Sequence, residues 1–502
     1  MGLPLIHFRI YEENHMPNIP NSEFRIRPYC PSAETHYSRL FRPSGDPLDD
    51  NLRARLGSLG KSMMRAETVP PTPIPSTFRA ERSYAGYTYF GQLIDHDLTW
   101  DQTPLDQAGQ MSPCETINHR TPWLDLDNLY GDGPESDTHF HLYDKDRASF
   151  RLGGHLLPNG GGQFDVPLDE TGNPQLADSR NNDHLIIRQV HAMFLKLHNV
   201  AVRELPEKLP AEQRFKRAQD RVRWQYQWLV RNDFLKVVCK PSIYQEVMAG
   251  RYLIDWDRDA FSIPVEFAQA AFRFGHSMVR ARYILNPDVS GELRMLANMP
   301  SLPLEVSLQT LFAEAHNHQP ISLPRAINWR RFLTEPLAPE PSNWIDTGIV
   351  DALVTPEVPP ELPVRTLLRG AASRLATGEQ VCEALRTTIP TISKEELAKY
   401  SEPPCKPPWD DLIANGFQGK TPLWYYFLLE SQLEEHGGRL GSAGSRIVAE
   451  VIEGSLRADP NSFLSRAHSK WTPPPWMAPD GQPYVIEDLY GVAVVTGLAP
   501  RT

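Results

Sequence analysis

The sequence predicts a mainly α-helical fold with one large domain and only a few short strands. Apolar residues recur at helical spacing over several long segments, whereas the alternating pattern of a strand is rare and short. The 502 residues include 47 prolines, nearly twice the usual share of ~5%. Because proline fixes φ and ends helices, this excess predicts many rigid loops between the helices.

The helices can be placed from their apolar stripes. One is predicted at 84–100, where Phe90, Leu93 and Ile94 fall on one face. The strongest pattern begins at Leu185, directly after polar residues that can cap a helix. Further helices are predicted at 211–238, 267–285, 366–373, 378–385, 421–435 and 445–460. Residues 286–365 are predicted to be a proline-rich loop, and residues 1–60 an arm wrapped on a domain formed by 61–502.

Charge and composition argue against several classes of protein. The net charge is -11 and no long run of Lys and Arg occurs, so a nucleic-acid partner is not expected. No stretch of 18 apolar residues is present, so we expect no transmembrane segment. The N-terminus lacks the pattern of a signal peptide, and we expect a cytoplasmic protein, with export by another route left open. The five cysteines are widely spaced without a CxxC pair, which disfavours a disulfide framework and a thiolate zinc site.

Two segments carry residues suited to chemistry. His96 stands between Asp95 and Asp97 on an otherwise apolar helix, where it is either a hydrogen-bonded core histidine or a general acid and base. The segment 121–127 places oxygen-bearing groups at alternate positions, which share one side of an extended loop. It is either a polar turn or an oxygen cage for Ca²⁺, to which Asp97 adds a ligand.

Two further segments each contain an arginine or a histidine at an unusual place. Arg180 precedes the strongest helix, where it is either a surface or ion-paired residue or a group that stabilises a developing anion. His276 follows Gly275 on an apolar segment. It is either a core histidine or an axial haem ligand, with the glycine allowing a flat group to approach closely.

These four segments, in this order, resemble the animal-type haem peroxidases, the peroxidase–cyclooxygenase superfamily that includes myeloperoxidase and thyroid peroxidase. The resemblance runs from about residue 60 to residue 470. The segments most similar to the bacterial branch of that family include YTYFGQLIDHDLT, TPWLDLDNLYG, LHNVAVREL and LWYYFLLE. Each motif alone is weak, whereas the ordered set is specific.

The resemblance implies a single large helical domain, like that of myeloperoxidase, with haem b buried between helices. It implies that His96 moves a proton within bound peroxide, that Gln92 shapes the peroxide pocket, and that Arg180 polarises the O–O bond. It also implies that His276 holds the iron. The arginines beside the haem propionates correspond to Arg273 and Arg369. The calcium ligands correspond to Asp97, Thr121, Trp123 through its carbonyl, Asp125 and Asp127.

The chain departs from the family pattern at positions next to the haem. Members with covalently attached haem use an aspartate where Asp95 stands and a glutamate where Asp183 stands, so we expect one ester through Asp95 and leave a second open. His184 replaces a methionine, so no sulfonium link is expected. The asparagine that accepts a hydrogen bond from the iron-bound histidine corresponds to Thr366, which predicts a weaker partner for His276 and a shifted redox potential.

The implied function is a peroxidase that reduces hydrogen peroxide and oxidises small organic donors, halides or both. One alternative is an oxygenase of a fatty acid or secondary metabolite on the same scaffold. Arg273 disfavours it, because cyclooxygenases and fatty-acid α-dioxygenases have a radical-forming tyrosine there. The other alternative is a haem-binding protein without catalysis, which the joint presence of Gln92, His96 and Arg180 disfavours.

Overall fold

A computed structural model describes most of the chain and is mainly helical. The described residues are 25–29, 36–44, 46–65, 83–105, 107, 115–153, 165–286, 305–333, 339–353, 361–387 and 409–466. The α-helices are α1 Asp50–Met63, α2 Ala85–Leu98, α3 Asp127–Tyr130, α4 Leu185–Arg203, α5 Ala211–Leu229, α6 Leu235–Val238, α7 Pro241–Met248, α8 Val265–Gln269, α9 Gly275–Met278, α10 Leu308–Ala315, α11 Trp329–Leu333, α12 Leu362–Ala372, α13 Gly378–Leu385, α14 Asp410–Ala414, α15 Leu423–Glu434, α16 Ser442–Ala458 and α17 Phe463–Arg466. The strands are β1 Met64–Arg65, β2 Arg282–Ile284, β3 Glu305–Ser307 and β4 Ile349–Val350.

The strands form two small pairs at the edges of the helical core. β1 and β4 are parallel, with Met64 opposite Ile349. β2 and β3 are antiparallel, with Tyr283 opposite Val306. The predicted fold class, mainly α with few short strands, is confirmed in the described residues.

Aromatic side chains pack α2, α4 and α5 together at the centre of the molecule. Phe90 of α2 stacks on Phe194 of α4, with ring centroids 6.3 Å apart, and meets Tyr226 of α5 edge-on at 5.9 Å. All three side chains are fully buried, and each burial stabilises the fold by roughly 1.5–3 kcal/mol. α2 is thereby packed between two long helices, and this packing fixes the orientation of α2 relative to α4 and α5.

The long segment 211–238 is interrupted near the same centre. α5 passes into a π-helical turn, Val230–Phe234, before α6 continues the same segment. Such wider turns often occur at functional sites. Here the turn brings Phe234 beside Gly91 of α2, where an added Cβ would lie 3.2 Å from the phenyl ring.

Two expectations about helix placement were wrong. The segment 267–285 is not one helix: it consists of the end of α8, a 3₁₀ turn at Ala271–Phe274, α9 and β2. The segment 286–365 is not all loop, because its described part contains α10 and α11. α1 crosses the predicted arm boundary at residue 60, and the division of the chain at that residue stays a prediction.

The buried apolar side chains of the described ranges form one cluster that extends from Ile26 to Phe463. Cys239 and Cys382 are buried free thiols, while the other cysteines lie outside the described residues. None of the helices in the described ranges combines the length and apolar character that a membrane crossing requires.

Candidate active site

A cavity of about 510 Å³ lies between α2 and α9 and is lined by a histidine from each, His96 and His276. This volume is within the usual range for sites that enclose a cofactor or substrate. Gly275 also lines the cavity, and a Cβ added there would meet no atom within 4 Å. A flat group can therefore lie directly against this part of the backbone.

α2 presents its polar face to this cavity. Gln92, Asp95 and His96 all line it, and their spacing along the helix puts them on one face. The Gln92 side-chain oxygen accepts a hydrogen bond from His184 Nε2 at 3.0 Å. The Asp95 carboxylate accepts one from the Thr99 hydroxyl at 3.0 Å. Both side chains are thus oriented by neighbours before any ligand binds.

A hydrogen-bond chain behind His96 fixes its tautomer. Asn181 Oδ1 lies 2.8 Å from His96 Nδ1, and Asn181 Nδ2 lies 3.0 Å from His191 Nδ1. Because a carbonyl oxygen only accepts, His96 carries its proton on Nδ1 and keeps the lone pair on Nε2. Asn181 is fully buried, so water does not compete for these bonds. His96 therefore offers its basic nitrogen away from Asn181.

The surroundings of His96 keep it neutral. Burial and, next, the nearby Arg180 guanidinium lower the pKa of His96 to about 4. A neutral imidazole at ordinary pH is able to take a proton from a ligand in the cavity.

The structure places Arg180 outside the lining of this cavity, contrary to the direct role expected for it. Its guanidinium donates to Asp178 at 2.7 Å and to the carbonyls of His96 and Thr99 at 2.8 and 2.7 Å. It also lies 4.8 Å from the centre of the Trp100 ring. The buried carboxylate of Asp178 is the strongest acceptor within reach, and it draws the guanidinium to the C-terminal end of α2. Arg180 therefore fixes the backbone that carries His96.

The charge of Asp178 is stable in this position. Burial alone would raise the pKa of Asp178, but the hydrogen bond and charge of Arg180, with Arg120, outweigh burial and lower it to about 2. The ion pair between Asp178 and Arg180 consequently persists over the whole neutral range.

The expected hydrogen bond between His276 and Thr366 does not form. The Thr366 hydroxyl donates instead to the carbonyl of Leu362, 2.9 Å away and four residues earlier in α12. This is a common arrangement for threonine in a helix, where the short side chain reaches its own backbone more easily than another element. His276 Nδ1 is buried and has no hydrogen-bond partner among the described residues.

Cationic side chains approach His276 where an acceptor was expected. Arg273 and Arg365 both line the cavity. Burial, then the charges of these two arginines, lower the pKa of His276 to about 3. Arg369 pairs with Asp101 at 3.3 Å and is not part of the lining. Burial and, next, the charge of Arg273 lower the pKa of Arg365. Burial also lowers the pKa of Arg369, with Asp101 opposing and Arg273 adding to the effect, so this corner of the cavity favours an anion.

Asp183 and His184 complete the polar lining near α4. Burial raises the pKa of Asp183 to about 6, despite the opposing charge of Arg180. His184 caps α4 by accepting the Ile187 N–H at 3.3 Å, and burial lowers its pKa to about 3. The cap of this helix is thus His184, and not the polar residues 181–183 that were expected to cap it.

Asp97, Asp125 and Asp127 form a second polar centre behind α2. One oxygen from each carboxylate lies within 4.8 Å of the others. Ligands of one Ca²⁺ at 2.3–2.6 Å are at most about 5 Å apart, so these three can share an ion. Both oxygens of Asp97 are buried without a hydrogen-bond partner in the described part of the chain. Burial, and then Asp125, raise the pKa of Asp127 to about 7.

The other two residues of the predicted oxygen cage lie in the same loop. The Thr121 hydroxyl accepts the Trp123 N–H at 3.4 Å, and it also lowers the pKa of Asp125, which burial raises. The five residues therefore lie in one region, with three carboxylates in ligand-sharing positions.

Three residues of this site were not predicted from the sequence: Asn181, His184 and Arg365. Arg365 carried a usable signal, because it lies one helical turn before Arg369 and therefore on the same face. Asn181 and His184 carry no comparable signal in the sequence. Their contacts to His96 and Gln92 join segments about 85 to 92 residues apart, which no local pattern reveals.

Comparison with known sequences finds similarity over part of the chain. A family model described as animal haem peroxidase matches residues 102–319. A peroxidase-like protein of Margaritifera margaritifera is 25% identical over 327 residues, which are 53% of this chain and 40% of that relative. The match thus spans less than half the length of the relative.

Solved structures share the fold over nearly the whole chain. Peroxidase A of Dictyostelium discoideum has a TM-score of 0.60 at 15% identity, covering 95% of this chain and 94% of its own. The fatty acid alpha-dioxygenase of Arabidopsis thaliana also has a TM-score of 0.60, at 14% identity, covering 92% and 76%. At such identities the likeness shows a common fold. The chain therefore shares the fold of these proteins, and the match to the animal haem peroxidase model extends over residues 102–319, less than half of its length.

Proposed function

We propose that the chain is a peroxidase, which binds haem b in the cavity between α2 and α9 and reduces hydrogen peroxide. The electrons come from small organic donors, from halides, or from both. The observation that carries this proposal is the pair of neutral histidines lining one cavity. His96 is buried and has a fixed basic nitrogen, while the part-buried His276 has a buried Nδ1 without a partner among the described residues. A haem carrier without catalysis needs only the second histidine.

The residues present fit a haem. His276 is neutral and able to hold the iron, while the open space beside Gly275 accepts a flat macrocycle. Arg273 and Arg365 would meet propionate carboxylates. When bound, the haem supplies the redox chemistry with peroxide, and the chain supplies orientation and proton transfer.

The remaining steps belong to the side chains of α2 and their partners. His96 Nε2 takes a proton from one peroxide oxygen and returns it to the other as the O–O bond breaks. Gln92, held by His184, donates its amide to a ligand in the same space. Arg180 acts as a positioning residue through its bonds to the carbonyls of His96 and Thr99.

We extend the proposal to two bound groups. Ca²⁺ binds Asp97, Asp125 and Asp127, with Thr121 and the Trp123 carbonyl as further ligands, because an ion neutralises carboxylates that burial otherwise destabilises. Asp95 lines the cavity and would form one ester to the haem. In this step a haem C–H bond and the carboxyl O–H bond are broken, and one hydrogen peroxide takes up the two electrons and two protons to give two waters. Mass spectrometry after acid-acetone extraction tests the ester, since free haem in the extract would contradict it.

The function is tested by absorption spectroscopy of purified holoenzyme with hydrogen peroxide. We expect a peroxide-dependent spectral change, and we expect His96→Ala to slow it by about 10²–10⁴-fold. His141→Ala is the matched control, because His141 is partly exposed and does not line the cavity. A His96→Ala enzyme with the full rate would overturn the assignment.

The oxygenase alternative is distinguished in the same preparation. The cavity wall includes apolar side chains such as Phe272, Phe274 and Phe312, which could receive a fatty acyl chain. Oxygen uptake with palmitic acid, without added peroxide, would favour that function. Its absence, together with the peroxide-dependent change, supports the peroxidase.

A further inference from the structure

A second cavity, of about 440 Å³, lies between α1, α12 and the loop 416–420 that precedes α15. Its inner wall is apolar, because Leu56, Leu367 and Phe417 line it and are all buried. Trp424, near the start of α15, adds an aromatic side chain to the same wall. Among the described residues, none lines both this cavity and the one between α2 and α9. Its volume and lining are typical of a site that encloses the apolar part of a small organic molecule.

Arg55 of α1 brings a positive charge to the lining of the second cavity. Its Nε donates to the carbonyl of Asn415 at 2.9 Å, and its Nη2 donates to the carbonyl of Gly416 at 2.5 Å. The guanidinium carbon lies 4.5 Å from the centre of the Phe417 ring. These three contacts hold the guanidinium in one place. A cation that is already held in place loses little side-chain entropy when it binds a ligand.

Arg55 is not neutralised by an ion pair in the described ranges of the chain. Both of its acceptors are uncharged carbonyls, and it has no acidic partner within those ranges. Its other amino group, Nη1, has no hydrogen-bond partner there and is not among the enclosed polar atoms, so it is open to a ligand. A planar guanidinium with an accessible N–H donor is well suited to binding a carboxylate.

Lys420 and Asp46 are the other charged residues of the lining. Their charged atoms lie 3.9 Å apart, and their side chains are 71% and 70% exposed. Water screens such a pair, so it contributes little to binding, and its two charges cancel. With Arg55 and Lys420 against Asp46, the described lining carries one net positive charge beside an apolar interior.

We propose that the second cavity is a binding site for an aryl carboxylate, with the aromatic ring among the apolar side chains and the carboxylate on Arg55. Phe417 and Trp424 favour an aromatic ring, because aromatic side chains stabilise a ring at their faces and edges beyond the effect of buried area. The site goes beyond the proposed function, since no step with peroxide uses it.

The charge of the lining selects a monoanion. A phosphate monoester carries about two negative charges at neutral pH, whereas Arg55 is the one cation of the described lining that is held in place. An uncharged ligand would leave the guanidinium without a partner for its free N–H donor. A carboxylate supplies one negative charge and a planar acceptor, which match this donor.

The test is calorimetric titration of the purified holoenzyme with two probes of nearly the same shape, 3-phenylpropanoate and the uncharged 3-phenylpropan-1-ol. We expect one site for the carboxylate, with a Kd at least about tenfold lower than that of the alcohol, the effect of about 1.4 kcal/mol. Raising the ionic strength from about 0.01 M to about 1 M shortens the Debye length from about 30 Å to about 3 Å. The advantage of the carboxylate over the alcohol is therefore expected to shrink at high salt.

Three variants assign the binding to this cavity. Arg55→Met removes the charge, so it is expected to raise the Kd of the carboxylate about tenfold and to leave the Kd of the alcohol unchanged. Ala371→Phe places a ring in the cavity from α12 and is expected to abolish the binding of both probes. Arg53→Met, at an exposed arginine of the same helix that does not line the cavity, is the matched control and leaves both Kd values unchanged.

The proposal fails if the parent does not bind the carboxylate, or if it binds the two probes equally well. It also fails if Ala371→Phe binds the carboxylate as the parent does. The anion would then occupy another place, such as the first cavity beside Arg273 and Arg365.

A second substitution covers the structural role of Arg55, which also holds the loop at 415–416. If Arg55→Met lowers the Tm or weakens the binding of the alcohol, this loop has loosened, and Arg55→Lys decides instead because it keeps the charge. Tighter binding of the carboxylate by Arg55→Lys than by Arg55→Met supports the site, and equal binding overturns it. No step of this experiment uses peroxide, so its failure and the failure of the proposed function are distinguishable.

Discussion

Asn181 is the residue on which the chemistry of His96 depends most directly, since it accepts from Nδ1 and donates to His191. Replacing it with leucine removes the acceptor, so we expect the peroxide step to slow on the order of tenfold, the equivalent of one hydrogen bond. Replacing it with aspartate puts a carboxylate beside the imidazole, which favours the protonated form and raises the His96 pKa by about one to three units. The acid limb of the pH–rate profile then moves to higher pH.

The neighbouring Asn182 provides the control for this experiment. Its amide donates to the carbonyl of Ala315 at 3.1 Å, and it does not line the cavity. Asn182→Asp should leave the acid limb where it is in the parent. An Asn181→Asp profile that coincides with the parent would show that the hydrogen bond to His96 has no influence on the proton transfer.

The redox potential of the holoenzyme follows from the residues beside His276. Because the Thr366 hydroxyl is bonded to Leu362, Thr366→Val, which removes the hydroxyl, is expected to leave the midpoint potential unchanged. Arg365→Met removes a nearby positive charge, and the charge favours the reduced, more negative form of the iron, so the variant is expected to have a lower potential. Spectroelectrochemical titration of both variants decides this. A large shift in Thr366→Val alone would contradict the structure.

At the level of single residues, the sequence indicated the identities of the two histidines but not their partners. His96 and His276 stand out because each interrupts an apolar segment. The hydrogen bond of His96 and the lack of one at His276 depend on how distant elements are packed, and the Thr366 assignment relied on position in a family pattern. A threonine hydroxyl that bonds its own helix cannot be recognised from that pattern.

Among the elements, the acidic loop and α2 are coupled by a chain of ion pairs. Arg120 lies 3.6 Å from Asp127 and also bonds Asp178, which in turn holds Arg180 against the end of α2. An ion bound by the loop therefore stabilises the backbone of His96 through these side chains.

Removal of calcium is expected to destabilise the protein and slow the peroxide step together. An ion at 100-fold excess over its Kd contributes about 2.7 kcal/mol, so chelation should lower the Tm measurably. Asp125→Asn should reproduce the loss and be insensitive to the chelator. Asp137→Asn, at an exposed acid outside the cluster, is the control. A parent whose Tm and rate are both unaffected by chelation would argue against a calcium site.

Helices were predicted well where one face is apolar over several turns, as in α2, α4 and α13. The prediction of one helix failed at 267–285. Residues there are buried on all sides of the chain, so the apolar pattern does not show where one short element ends and the next begins. Arg273 and His276 lie on two of the short pieces, a 3₁₀ turn and α9. The irregular backbone thus occurs where Arg273 and His276, on two successive short elements, both line the cavity.

For the whole molecule, buried histidines make stability depend on pH. Burial lowers the pKa of His191 to about 3 and that of His198 to about 4. Between these values and about 6.5, the unfolded chain binds protons that the folded chain does not, so stability falls as the pH falls below 6.5. At pH 5 each such histidine lowers the free energy of unfolding by about 2 kcal/mol. At pH 6.5 the effect is only about 0.4 kcal/mol, and it vanishes at higher pH.

Buried carboxyl groups act with the opposite sign, which is why a variant is needed to isolate the histidines. The pKa of Glu430 is raised to about 8 by burial and, next, by Glu434, so this group adds stability at low pH that is lost as the pH rises through 8. His198 is bonded to Tyr130 and to the carbonyl of Ala148. We expect His198→Gln to lower the free energy of unfolding at pH 7. We also expect this free energy to fall less steeply between pH 6.5 and 5 than in the parent, because one histidine fewer takes up a proton on unfolding.

Urea unfolding of parent and variant at both pH values measures this difference directly, because the contribution of the carboxyl groups is common to the two proteins. His318→Asn, at an exposed histidine with positive φ that asparagine tolerates, should leave the pH dependence unchanged. If His198→Gln has the same pH dependence as the parent, His198 is already protonated in the folded protein. Its Nε2 bond to Ala148 could persist in that state, but its Nδ1 could no longer accept from Tyr130.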